Sequence, residues 1–122
     1  MNETKTAIIT LSDHNIEWEV YLVPQGSEGL LTGEKSNWGT THFKSKKIYV
    51  DNSLNDKDIY EVLVHELTHA ILFETQIKEV KKFNEEDVCE MMGMYGKIII
   101  DLAEDVLGQW SLDDSGGSDV QV

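Results

Sequence analysis

The chain has 122 residues, with 23 acidic side chains against 10 basic ones and a formal net charge of −13. That length holds one compact domain with a real core and not two, and an apolar share of 40% excludes wholesale disorder. A surface of this sign repels a phosphate backbone, so direct nucleic-acid binding is not expected, and no apolar run reaches the roughly 18–20 residues that span a bilayer.

The opening residues Met1 to Lys5 lack the basic start and apolar stretch of a signal peptide, and the single Cys89 has no partner for an internal disulfide. Both point to a reducing, cytoplasmic setting. Residues 6–11 (TAIITL) and 16–23 (IEWEVYLV) are β-branched and aromatic runs. In the second, Ile16, Trp18, Val20 and Leu22 alternate with Glu17, Glu19 and Tyr21, the period-2 pattern of a half-buried strand. Gly26, Gly29 and Gly33 punctuate a loop, and Gly39 to Val50 forms a further β region with Lys44-Ser45-Lys46 as its turn. From Asn55 or Asp56, either of which suits a helix N-cap, apolar residues recur at helical spacing from Ile59 to Phe73 and predict a helix ending near Glu74. Asn84 suits a second cap. The stripe Val88, Met91, Met92, Tyr95, Ile98, Ile99, Leu102 and Val106 predicts a long helix ending near Gly108. The expected organisation is a single domain over residues 1–108 and an acidic, Gly/Ser/Asp-rich disordered tail over 109–122.

The predicted first helix carries His65-Glu66-Leu67-Thr68-His69, an HExxH sequence. Four residues advance a helix by about 400°, which leaves the two imidazoles roughly 40° apart and one turn up. Two nitrogens so placed suit one zinc ion. Zinc acidifies a bound water, and Glu66, next in sequence to the first histidine, is placed to take the proton as general base. The motif stands in an apolar context, Val62 to Val64 before it and Ala70 to Leu72 after it, where histidines need partners.

A catalytic zinc takes three protein ligands and keeps one position open. His14 and His42 lie upstream, and Thr75 stands where the extended HExxHxxGxxH pattern has its last histidine. The acidic cluster Glu85, Glu86, Asp87 and Glu90 at the start of the second helix is the better source. Glu85 heads the face that continues as Val88, Met92, Tyr95 and Ile99, which favours it as the ligand; Glu86 is the alternative, on a more solvated face with Glu90 and Lys97. Either carboxylate also complements the helix dipole, a role that needs no metal. Cys89 reads as a small core residue, and Trp18, Trp38 and Trp110 as packing or loop anchors.

HELTHA at His65 to Ala70, followed by a glutamate on the next helix, resembles the gluzincin branch of zinc peptidases. The Asn84-Glu85 pair is similar to one in thermolysin-like enzymes, although Cys89 stands where those carry an acid; counting from Glu86 puts Glu90 there instead. The small size looks like the compact ImmA/IrrE-type metallopeptidases of phages and mobile elements, without that family's asparagine and closing proline. The resemblance covers residues 39–107. It implies an α+β, zincin-like (minigluzincin) domain, with a mostly antiparallel twisted sheet followed by the HExxH helix and the glutamate helix. It also implies a zinc cofactor, a protein or peptide substrate lying antiparallel to an edge strand within Gly39 to Val50, and a regulatory protein as a possible target.

Such a reaction also needs an oxyanion stabiliser. Tyr95, on the Glu85 face, and His42, near the presumed edge, are the two candidates. Two other functions compete with hydrolysis. One is a zincin-fold binding module that keeps the scaffold without catalysis. The other is an acidic decoy, a DNA mimic acting through its charge, which leaves HExxH unexplained. Oligomeric state is not set by the sequence.

Overall fold

The computed structural model describes residues 4–11, 16–75 and 85–119, with side chains as far as Leu112. His14, Asn84 and the link from Gln76 to Lys82 lie outside the described residues.

Strands β1 (Lys5–Leu11), β2 (Ile16–Val23), β5 (Gly39–His42) and β6 (Lys47–Asp51) form a four-stranded sheet in the order β1-β2-β6-β5. The outer pairings are antiparallel, while β2 and β6 run parallel, Val20 facing Ile48 and Leu22 facing Val50. The sheet is mostly antiparallel, as expected, but mixed, with one parallel pair at its centre. A parallel pair needs a long crossover, and residues 24–46 supply it. Within them lie a short 3-10 turn (Glu28–Leu30), the two-residue strands β3 (Leu31–Thr32) and β4 (Lys35–Ser36), and β5 itself. Gly33, at φ 67, takes the left-handed backbone that closes the β3–β4 hairpin.

Two helices cover one face of the sheet. α1 (Asp56–Thr75) packs on β5 and β6, and α2 (Glu85–Asp119) packs on β1 and on α1. The alternation read in IEWEVYLV has its physical counterpart here: Trp18, Val20 and Leu22 are buried under the helices with Ala7, Ile9, Ile48 and Val50. From α1 they meet Ile59, Leu63, Leu67, Ala70 and Ile71, the helical repeat that predicted the element. Asn55 is the cap, its Oδ1 accepting the Asp58 N–H at 2.8 Å. No helix among the described residues is long and apolar enough to cross a membrane. The molecule is thus a small α+β domain of one mixed sheet and two helices.

α2 departs from expectation at both ends. It does not stop near Gly108 but runs to Asp119, so the segment expected as a tail from 109 continues the helix. The reason is the stripe Ile99, Ala103, Val106 and Trp110, which repeats every three or four residues and leaves Gly108 on the exposed side. Trp110 is buried in the core, and the neighbouring Gln109 amide donates to the Ile8 carbonyl and accepts the Ile8 N–H, both at 2.9 Å. This pairing occupies part of the open edge of β1, where free backbone groups invite a second strand. At the other end, Val88, Met92 and Ile98 are exposed, as is Cys89, against the expected core positions. Packing of α2 on the domain begins in earnest with Met91 and Ile99.

On the opposite sheet face Tyr21 stacks on Tyr49 with centroids 5.1 Å apart and donates to Glu19 Oε1 at 2.6 Å. That hydrogen bond, with lesser help from burial and the Glu19 charge, pushes the Tyr21 phenol up to about 12 from its ordinary 10.0. A raised folded pKa favours the protonated form, so its small contribution to stability is complete below the ordinary value and fades as pH rises through about 12. An ultraviolet-monitored alkaline titration is expected to show Tyr21 ionising late and returning toward its ordinary value in Glu19→Gln; an unchanged titration in that variant contradicts the assignment.

Candidate metal centre

α1 lies against the edge strand β5 with its HExxH turn facing the strand. The approach is close because Gly39 has no side chain. A Cβ there would sit 2.5 Å from Val62 Cγ1 and 3.0 Å from both Cγ and Oε2 of Glu66. Gly39→Ala is therefore expected to push β5 off α1, costing about 1–3 kcal/mol as overpacking does. Denaturant unfolding checks this, and Val62→Ala is expected to rescue part of the loss; an additive pair of effects would mean the clash is relieved some other way.

The period-2 rule settles which side chains of β5 meet the helix. Gly39 and Thr41 face α1, and the Thr41 hydroxyl reaches Glu66, 2.5 Å from Oε1 and 3.3 Å from its carbonyl oxygen. Glu66 is one of two buried polar or charged residues among those described, 6% exposed, and the Thr41 bond leaves Oε2 beside Gly39. Thr40 and His42 point to the opposite face. The His42 Nε2 lies 2.8 Å from the Gly29 carbonyl and 3.1 Å from Thr40 Oγ1, with its ring edge against Tyr49. His42, expected as an oxyanion donor, thus stands on the other sheet face from Thr41 and lines neither compartment of the groove between α1 and β5. Thr41, which the sequence reading did not single out, is the β5 side chain that touches Glu66. Gly-Thr-Thr-His carries no local signal that would have found it.

The α1–β5 groove opens to solvent in two adjoining compartments. One, of about 340 Å³, is lined by Thr40, Thr41, Phe43, His65, Glu66 and His69 among others. His65 and His69 are both exposed there, their rings 4.9 Å apart and nearly perpendicular. The carboxylate of Glu66 is thus buried on the strand side of the helix turn whose two imidazoles are accessible. Farther along, α1 is anchored by Glu74, whose Oε2 accepts from Trp18 Nε1 and from Lys46 Nζ, each at 2.7 Å. Lys46 closes the β5–β6 turn with φ 57, and its ammonium lies over the Trp18 and Phe73 rings. The middle of the HExxH helix, at Glu66, and its C-terminal end, at Glu74, are therefore both tied to the sheet.

Two imidazoles one turn apart and a carboxylate beside them suit a zinc ion held from α1. The third ligand is not gathered: among the described residues no group of three or more His, Cys, Asp or Glu side chains is arranged to hold a metal. Glu85 and Glu86 are exposed in the first turn of α2, where they complement the helix dipole. Neither completes a group with His65 and His69. Tyr95 is half-buried against the core and does not line either compartment. Compared with protein-family models, with curated proteins and with solved structures, the chain matches none.

Proposed function

We propose that this chain is a zinc-dependent metallopeptidase of the gluzincin kind, similar to the compact ImmA/IrrE-type enzymes, hydrolysing a peptide bond in a protein substrate. The observation that carries the reading is Glu66: a buried carboxylate lining an open groove that two exposed imidazoles one turn apart also line, beside an edge strand. A buried carboxylate that lines a groove and takes a side-chain hydrogen bond from Thr41 at one oxygen is a candidate for chemical work there. His65 and His69 would hold the ion, with Glu85, or alternatively Glu86, as the third ligand from α2. Zinc, when bound, supplies Lewis acidity and makes water a competent nucleophile at neutral pH. Glu66 would accept a proton from the attacking water and pass it to the leaving amine. Thr41 holds the other carboxylate oxygen in place, and an extended substrate strand pairs with the free edge of β5.

A second reading is favoured by one observation, the absence of a gathered third ligand among the described residues. Under it the same scaffold binds a partner without catalysis. The two are separated by incubating the full chain with zinc and a mixed pool of short peptides, followed by mass spectrometry. Hydrolysis that a chelator stops and added zinc restores supports the peptidase. No cleavage of any peptide or of casein, with the fold intact, leaves the binding module.

A further inference from the structure

The groove continues past the HExxH turn toward the N-terminal end of α1. There a second compartment of about 310 Å³ is bounded by Trp38, Glu61 and Val62 and shares Gly39, His65 and Glu66 with the first. Trp38 is 57% exposed, whereas Trp18 and Trp110 are buried. Its main chain is fixed, the carbonyl accepting the Asp51 N–H at 2.9 Å, so a bare indole is held at the mouth of the groove. Glu61 stands one turn before His65. Its ion pair with Lys57, at 3.1 Å, is between two well-exposed side chains and so yields readily to a competitor.

The charged residues lining the two compartments, histidines aside, are Glu61 and Glu66, and no lysine lines either. The chain contains no arginine. A substrate carboxylate or phosphate would meet the carboxylates of Glu61 and Glu66 here, the neighbouring Lys57 being already paired with Glu61. A cation would meet a carboxylate and the face of an indole, the aromatic ring that binds cations best. We infer that this compartment receives a cationic side chain, arginine or lysine, of the bound peptide, lying on Trp38 and paired with Glu61. The inference rests on the peptidase reading for the presence of a peptide. It adds what neither motif nor fold class specifies, the class of residue beside the scissile bond.

The test uses the full wild-type chain and blocked peptides Ala-Ala-X-Ala-Ala, with X arginine, norleucine or glutamate. Binding is measured by isothermal titration calorimetry for wild type and variants alike, the wild-type contact is located through the Trp38 indole N–H signal in two-dimensional NMR, assigned with Trp38→Ala, and hydrolysis is read in the same samples by mass spectrometry. The arginine peptide is expected to bind about tenfold tighter than the norleucine peptide, with the glutamate peptide weakest, as one cation–π contact and one ion pair imply. Trp38→Ala and Glu61→Gln, both at exposed positions, are each expected to cut that preference to below about threefold with an unchanged circular dichroism spectrum. Equal binding of arginine and norleucine peptides, a preference that survives both substitutions, or no binding up to about 10 mM overturns the inference. Arginine-selective binding without cleavage leaves the compartment standing and counts against the peptidase reading. Cleavage without arginine preference does the reverse.

Discussion

Glu66→Gln is expected to lower peptide hydrolysis by about 10²–10⁴-fold while leaving the domain folded, the range that general-base groups contribute. The substitution keeps the side chain's shape. The Thr41 hydroxyl still finds a carbonyl oxygen to donate to, 2.5 Å away in the native pair. What disappears is the negative charge in a buried setting, so stability is expected to stay within about 1 kcal/mol of wild type or to rise slightly. Zinc content is expected to be unchanged, since the two imidazoles are untouched. Parallel measurements of hydrolysis, denaturant midpoint and metal content separate the possibilities. Full hydrolysis in Glu66→Gln removes Glu66 from the chemistry. An unchanged cellular phenotype in that variant favours the binding-module reading.

The second large effect is on stability. Trp18→Ala is expected to cost about 3–5 kcal/mol, the range for removing a buried aromatic ring. Trp18 is fully buried, meets Phe73 edge-on at 6.5 Å, and donates to Glu74 at 2.7 Å. Its removal opens a cavity under α1 and takes one of two hydrogen-bond donors from a carboxylate only 7% exposed. Against a total stability of about 5–15 kcal/mol, that loss decides whether the domain stays folded at elevated temperature. Trp18→Phe keeps most of the ring and is expected to cost less than half as much. Chemical denaturation of both variants checks the ordering. A loss below about 1 kcal/mol in Trp18→Ala would mean that Glu74 and the core close over the gap.

Much of this architecture was readable before the structure because it is local. The alternation from Ile16 to Val23 is a two-residue period with one buried face, and the buried positions of Trp18, Val20 and Leu22 follow from it. The cap at Asn55 and the repeat from Ile59 to Ile71 are likewise contained in one segment. The parallel pairing of β2 with β6 was not legible, since it depends on how residues 24–46 cross over. The face of β5 was not legible either. Gly-Thr-Thr-His has no apolar alternation, so nothing local says that Thr41 and not His42 meets the helix. Gly39 explains itself only once Val62 and Glu66 are seen against its α-carbon. Gly108 misled in the other direction, because the deeper pattern was the stripe reaching Trp110.

The candidate site divides the same way. His65, Glu66 and His69 belong to one helix turn, and their spacing alone fixes their mutual geometry. A third ligand must come from another element, and neither helix pattern encodes where the start of α2 stands relative to α1. The face argument that favoured Glu85 also expected Val88 and Met92 to be buried, and both are exposed. Burial of that stripe begins farther along α2, so the face alone does not carry Glu85 to the histidines.

The most direct measurement is zinc bound per chain after reconstitution and desalting of tag-free protein, by mass spectrometry, for wild type beside His69→Ala, Glu85→Ala and Glu86→Ala. About one zinc per wild-type chain is expected, lost in His69→Ala and in one of the two glutamate variants, as three protein ligands require. Wild-type protein that takes up no zinc, or binds it equally well without His69, contradicts the metal centre on which the proposed hydrolysis depends.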